Sequence, residues 1–206
     1  MNKFVRALAL VLVVAMLAIP AMAAATPSAE QKGAPAVKET MTDSTGKAVA
    51  GVIVDKDGKE LAGVSAEDVK VKSYADTVKD APKEVKEVME KAYKEISTAE
   101  DLTKVAPELT KILPKLDVKV EAKDLVVRDL VHVELKPEMA ELIKDGAKIT
   151  MSFDLQLEKG QTLIVMQMID GKRVVLELED VVINADGSAN ITLAGAGPVA
   201  FVVNGK

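Results

Sequence analysis

The chain of 206 residues contains no cysteine, no tryptophan and a single histidine, His132. Without cysteine it can form no disulfide framework, and it has no nucleophilic thiol and no thiol for a lipid anchor. A zinc site would have to combine the one histidine with several carboxylates, which is an unusual ligand set. Stability must therefore come from the burial of apolar surface, and the chain is long enough for one sizeable core or two small ones.

Aromatic residues are also scarce, at 2% of the chain, and the formal net charge is −5. Nucleic-acid sites need clustered basic residues and aromatic stacking platforms, whereas the basic residues here alternate with acids. Clefts that bind or cleave sugars usually stack the sugar rings on aromatic side chains as well. The composition argues against a nucleic-acid partner, lowers the expectation of a lectin and offers no cofactor-binding motif.

The first 23 residues have the pattern of a secretory signal peptide. Lys3 and Arg6 precede an apolar run over residues 7–19, and a small-residue cleavage site follows at residues 21–23. A retained anchor would need about 20 apolar residues to cross a bilayer, and this run is shorter. We therefore expect a secreted protein, extracellular or associated with the cell surface, without a membrane span after cleavage and with a net charge of about −7.

Residues 24–46 mix Pro, Ala, Ser, Thr and charged residues without apolar periodicity and predict a flexible linker. Residues 47–115 predict a small α/β region. Strands flank the turn "DKDG" and another lies in "DVKVKSYA", while amphipathic segments over 81–97 and 97–115 predict a helical hairpin. Asp80 can cap the first helix, and Pro107 should bend or split the second, because an internal proline removes a hydrogen bond.

From residue 116 the apolar period changes from 3.6 to 2, which predicts a subdomain boundary and an antiparallel β-sandwich, Ig-like in architecture, over residues 116–206. Strands are predicted in "LDVKVEA", in "VVRDLVHVEL" and in "AKITMSFDLQLE", where every second residue from Ala147 to Leu157 is placed inside. Five later strands are predicted in "TLIVMQMI", "KRVVLELE", "VVIN", "SANITLA" and "PVAFVVN". "KPEMAELIKDG" predicts a short helix or turn, and "DG" and "ADG" supply tight hairpins. The predicted fold class is α+β, a sandwich preceded by a short β segment and the helical hairpin.

Three segments together resemble a β-sandwich module of secreted and surface proteins of gut Gram-positive bacteria: "KDLVVRDLVHVEL", "KGQTLIVMQMIDGKRVVLELE" and "ADGSANITLAGAGPVAFVV". The resemblance covers roughly residues 80–204 if the preceding helices are included, and its motifs are structural. It implies an adhesion-type protein and no catalytic residues. An acidic residue often stands in that family at the place of His132.

Strand alternation in "VVRDLVHVEL" places Arg128, His132 and Glu134 on one face. We interpret this face as solvent-exposed, so His132 is predicted at the surface. Asp129 falls on the opposite, apolar face together with four aliphatic residues: Val127, Val131, Val133 and Leu135. Either a bulge between Arg128 and Leu130 turns Asp129 outward, or Asp129 pairs with Arg128. Asp129 with Arg128 is therefore our candidate functional or structural polar site, for proton transfer or cation binding if it is functional.

These features favour a non-enzymatic interaction or adhesion module that binds a protein or cell-surface partner through loops or an exposed sheet edge. One alternative is a secreted hydrolase that uses carboxylates such as Asp129. Another is a calcium-stabilised structural module, although "DKDGKE" and "NADGSAN" do not match the EF-hand spacing and are better explained as hairpin turns. We assign no catalytic, cofactor-binding or metal-binding residue and expect no cofactor.

Overall fold

The computed structural model describes residues 34–97, 99, 101–116, 118–143, 146–169 and 171–204. The predicted signal peptide and the first ten residues of the predicted linker lie outside this part of the chain. Within it there are twelve strands, four α-helices and several short 3₁₀ turns. The strands are β1 (Met41–Thr42), β2 (Ala48–Val49), β3 (Gly51–Val54), β4 (Glu60–Val64), β5 (Val69–Ser73), β6 (Leu125–Leu135), β7 (Lys148–Phe153), β8 (Leu163–Ile169), β9 (Lys172–Val175), β10 (Val181–Ile183), β11 (Ala189–Leu193) and β12 (Gly197–Asn204). The helices are α1 (Tyr74–Asp80), α2 (Lys83–Ser97), α3 (Leu109–Ile112) and α4 (Pro137–Leu142).

The strands form two five-stranded antiparallel sheets and one small two-stranded sheet. Sheet I has the order β10-β11-β7-β3-β4, and sheet II has the order β5-β6-β12-β8-β9. Aliphatic and aromatic side chains from both sheets meet between them, with Phe153 of sheet I and Phe201 of sheet II at a ring separation of 5.3 Å. We call this layer the sandwich core. The fold is α+β with a β-sandwich-like arrangement, as the alternating pattern predicts.

A helix layer covers the outer face of sheet II. Met89, Ala92 and Ile96 form the buried stripe of α2, and they pack with Leu109 of α3 against the outward side chains of β6, β8, β9 and β12. We call this layer the helix-side core. Because both faces of sheet II are covered, β8 and β12 read as near-continuous apolar runs, "LIVMQMI" and "PVAFVV", and do not alternate.

The predicted boundary at residue 116 does not separate the sheets. β3 and β4, from the predicted N-terminal region, pair with each other, and β3 also pairs with β7 in sheet I. β5 pairs with β6 in sheet II. The strands before and after residue 116 therefore share one sandwich core. The change of period marks the end of the helix layer and carries no information about which strands pair across it.

The described part of the predicted linker, residues 34–46, is hydrogen-bonded to sheet I. Val37 forms a β-bridge with Phe153, the Lys38 amide donates to the Ser152 carbonyl at 2.9 Å, and the Thr40 hydroxyl donates to Ser152 Oγ at 2.8 Å. β1 then pairs with β2. This corrects the sequence-based expectation for residues 34–46, because edge pairing depends on backbone groups and needs no apolar periodicity in the added segment.

Three further predictions for residues 74–122 were wrong. The described residues of "LDVKVEA", 116 and 118–122, form no strand, and Leu116 and Val120 instead pack against the helix-side core. The end of "DVKVKSYA" is helical, because the Ser73 hydroxyl accepts a hydrogen bond from the Asp76 amide and so caps α1. Asp80 ends α1 and does not start α2. The second arm of the helical hairpin is broken, as Pro107 predicts, into 3₁₀ turns and the single turn of α3.

Three hairpins share one turn geometry, with Asp43, Asp55 or Asn184 at the first position. In each, that residue's amide donates to the carbonyl four residues later, and the glycine three residues later donates back to it. These glycines have φ between 79° and 85°, a left-handed region that glycine adopts without strain. The hairpin turns predicted at "DKDG" and "ADG" are confirmed, and they occupy the positions that were compared with calcium loops.

Candidate functional site

The stretch "VVRDLVHVEL" lies within β6 and contains a β-bulge. Phe201 of β12 pairs with Asp129, whereas the next residue, Val202, pairs with Val127. Arg128 is therefore the extra residue on β6, and the register changes at that point. The bulge considered in the sequence analysis, between Arg128 and Leu130, is therefore present.

The bulge does not turn Asp129 outward. The residue is only 8% exposed, and its carboxylate lies 3.4 Å from Arg128 Nε, so the predicted pair with Arg128 is also present. Burial raises the pKa of Asp129 above its ordinary value, and the neighbouring Arg128 opposes this shift. Its strand partner Phe201 belongs to the sandwich core. Asp129 is thus a weakly compensated buried acid.

The prediction that His132 is a surface residue was wrong. His132 is 9% exposed, and its buried Nδ1 has no hydrogen-bond partner within the described part of the chain. Its pKa is lowered by burial, while Glu134 acts to raise it and Lys72 to lower it. The alternation was correct over residues 131–135, but the face that we interpreted as solvent is covered by the helix layer. A period of 2 specifies two faces and does not say what covers the second one.

Asp129 and His132 cannot act together on one substrate. Asp129 pairs with Phe201 of the sandwich core. His132 pairs with Pro198, which precedes Ala200 of the helix-side core by two residues along β12. The two side chains therefore lie on opposite faces of sheet II. Across the described ranges, no group of three His, Asp or Glu residues could hold a metal ion.

The terminal strands of the two five-stranded sheets differ in charge. β5 carries Lys70 and Lys72, and β9 carries Lys172 and Arg173. In β4, Glu60 accepts the Ser44 amide with both carboxylate oxygens, at 2.9 and 3.0 Å. The remaining terminal strand, β10, is "VVI" and has no charged side chain. Charged residues protect edge strands against pairing with other chains, and β10 has no such protection.

Exposed aliphatic side chains coincide with this unprotected edge. Val182 is 54% exposed and Ile183 is 43% exposed. Val181 and Ile183 pair with Ile191 and Ala189 of the sandwich core, so they point to the inner face of sheet I, whereas Val182 points to its outer face. The sequence analysis identified the strand but not its position at the end of the sheet, because strand order is set by distant pairings.

A groove of about 320 Å³ lies beside the inner face of β10. Val181 and Ile183 form one wall, Leu163 at the start of β8 forms another, and Leu116 and Val118 close it. This last wall belongs to the segment "LDVKVEA", in which Val118 is 43% exposed. We call this cavity the β10 groove. It is mainly apolar, with Lys115, Gln161 and Thr162 also among its lining residues.

Backbone groups of β10 are available on the same side. The Asn184 amide donates to the Ser188 carbonyl at 2.8 Å, and bonded and non-bonded pairs alternate along an antiparallel ladder. Val182 is therefore bonded to Asn190, whereas the N–H and C=O groups of Val181 and Ile183 point away from β11. The Val181 amide is used by the Leu178 carbonyl. The carbonyls of Val181 and Ile183 and the amide of Ile183 therefore remain at the free edge.

The fold and this edge define a β-sandwich-like α+β protein with a helix layer and one uncharged terminal strand. No protein-family model, curated protein or solved structure matches the chain. The resemblance to surface β-sandwich modules therefore stays a prediction. None of the helices among the described residues is long and apolar enough to cross a membrane.

Proposed function

We propose that the protein is a secreted, non-enzymatic interaction module of the adhesion type, and that β10 is its docking edge. The observation that carries the proposal is the coincidence of an uncharged edge strand, two exposed aliphatic side chains and the β10 groove. An extended segment of a protein partner would add to sheet I as a sixth strand. Backbone hydrogen bonds would supply affinity, and an aliphatic side chain in the groove would supply specificity.

Secretion and the absence of catalysis belong to the same proposal. They are supported by the signal-peptide pattern of residues 1–23 and by the lack of a thiol nucleophile or nucleophilic serine motif. An Ig-like architecture is also part of the proposal, supported by two antiparallel sheets around one core.

Strand addition can be tested with a displayed library of short random peptides, selected against the full mature chain. Peptides that pass the selection should be rich in aliphatic residues at every second position, because alternate side chains of an added strand face the groove. Ile183→Lys should reduce the affinity for these peptides by about tenfold or more, since a charge at the groove wall is desolvated when a peptide binds.

The matched control is Leu61→Lys on β4, the opposite edge of sheet I. Leu61 and Ile183 are both 43% exposed, so the two substitutions add the same charge at equal exposure. The control should bind the selected peptides like the unmodified protein. Selection of no peptide, or equal losses in both variants, would overturn the proposal. Surface extracts of bacterial and host cells, passed over the same pair of variants, then identify partners that depend on Ile183.

A further inference from the structure

His132 is the buried polar group that the proposed docking edge does not use. The residue is nine-tenths buried, and none of the residues that the structure describes forms a hydrogen bond with its Nδ1. Its strand neighbours are Lys72 on β5 and Pro198 on β12. Buried polar atoms are nearly always hydrogen-bonded, so an imidazole nitrogen that is buried without a partner requires an explanation.

The imidazole lies between sheet II and the helix layer. Leu130 pairs with Ala200, both of these residues belong to the helix-side core, and His132 and Pro198 follow on the same face. α1 begins directly after β5 and contacts both β5 and β6. It also packs on α2, where Tyr74 stacks on Tyr93 at 4.4 Å. β5, the terminal strand of sheet II, and α1, which packs on β5 and β6, are thus one continuous segment that we call the flap.

The charged groups around His132 compensate a proton on it only in part, because burial lowers its pKa by more than Glu134 raises it. Lys72 is directly opposite on β5, and its Nζ donates to Glu134 Oε1 at 2.9 Å, so this carboxylate already has a cationic partner. β12 presents Pro198, Ala200 and Val202 to that face, and none of these side chains titrates. The titratable side chains of α1 are Tyr74, Asp76, Lys79 and Asp80, of which the last three are exposed. Asp76 is also engaged by the Ser73 hydroxyl.

We propose that β5 and α1, residues 69–80, form an acid-sensitive flap that neutral His132 holds closed and protonated His132 releases from β6. A buried imidazolium would lose its hydration, and Glu134, which is already paired with Lys72, would offset this cost only in part. Water reaches the ring only if the flap opens. Release would also unpair residues 131–135 of β6, which creates a second free strand edge in sheet II. The flap is independent of the docking edge, which lies in sheet I.

The direction of the pH dependence follows from the lowered pKa of His132. The unfolded imidazole has the ordinary value of 6.5, and burial places the folded value below it. Neutral His132 therefore contributes stability that is present above pH 6.5 and is lost as the pH falls through the folded pKa. Over that interval the opening equilibrium of the flap should rise by up to about tenfold per pH unit.

The test is amide hydrogen exchange of the full chain as a function of pH, corrected for intrinsic exchange, with the histidine titration followed by NMR. His132 is the only histidine, so its ring signal is unambiguous. Below pH 6.5, exchange should accelerate in residues 69–80 but not in the hairpin of β3 and β4. His132→Gln should abolish this acceleration because the amide side chain does not titrate.

Lys72→Gln provides the second variant, which also serves if His132→Gln fails to fold. It removes the repelling ammonium and frees Glu134, so the pKa of His132 should rise and the acid-induced exchange of residues 69–80 should decrease. Exchange of the flap that does not change with pH in the unmodified chain, or an identical pH dependence after Lys72→Gln, would overturn the proposal.

Discussion

Phe201 faces Asp129 across β12 and β6, and Arg128 beside it has no partner on β12. Because of this bulge, odd-numbered residues before and after it on β6 point to opposite faces of sheet II. Val131, after the bulge, lies in the sandwich core, whereas Val127, before it, lies in the helix-side core. One strand therefore supplies both cores, and a single uninterrupted alternation assigns Val127 to the wrong one.

Asp129→Asn should stabilise the protein at neutral pH by about 1 kcal/mol. Burial raises the pKa of Asp129, so the folded state favours the protonated form, and the charged form costs stability as the pH rises above the ordinary value of 3.8. The stabilisation should vanish below pH 3.8. Urea unfolding of both proteins across this range measures it, and a destabilised variant at pH 7 would show that the carboxylate has a partner stronger than Arg128.

The Arg173 side chain joins the helix layer to sheet II. It is 5% exposed, and its Nη2 donates to the Ala92 carbonyl at 3.1 Å and to Glu95 at 3.2 Å. Arg173→Ala should cost about 3 kcal/mol, because two charge-assisted bonds between layers are lost.

A matched pair of substitutions on α2 separates this link from ordinary helix charge effects. Glu95→Gln should cost about 1 kcal/mol, since it leaves the buried guanidinium without its counter-ion. Glu87→Gln removes the partner of exposed Lys83 and should change stability by less than about 0.5 kcal/mol. Equal effects of the two substitutions in thermal unfolding would mean that Arg173 finds its counter-charge elsewhere.

Asp68 should contribute stability that is lost in acid. Lys136 donates to it at 2.8 Å and the Ser65 hydroxyl at 2.7 Å, and these bonds lower its pKa to about 2. Asp68→Asn should therefore cost about 1 kcal/mol at pH 7, a modest value because Lys136 is half-exposed and screened by solvent. The difference between the two proteins should shrink as the pH falls from 3.8 to about 2. A constant difference over this range would mean that packing, not charge, is lost.

Alternation predicted the strands of sheet I well, because one face of that sheet is open. In "AKITMSFDLQLE", the six residues placed inside, Ala147, Ile149, Met151, Phe153, Leu155 and Leu157, are all buried. The same reasoning misjudged His132, because a helix layer converts the second face of sheet II from solvent to interior. Covering layers come from distant parts of the chain, and a local period does not report them.

The order of strands in each sheet could not be predicted from the sequence for a related reason. "VVIN" was predicted as a strand, but nothing local shows that β10 ends sheet I, so the candidate site was placed at Asp129. A retrievable signal was the charge content of the short strands. "VVI" has none, whereas the other three terminal strands contain Lys, Arg or Glu. "LDVKVEA" shows the opposite error. Its alternation matches a strand, but its described residues join no sheet and pack against the helix-side core or line the β10 groove.

Amide exchange at β10 tests the docking edge most directly. Val182 is bonded to Asn190, whereas the Ile183 amide points to the free side of sheet I. We predict that in the isolated protein the Ile183 amide exchanges much faster than the Val182 amide. A peptide from the library selection should slow exchange at Ile183 by about tenfold or more and leave the rate at Val182 nearly unchanged. Protection of Ile183 before any peptide is added, or fast exchange that persists at saturating peptide, would contradict the account.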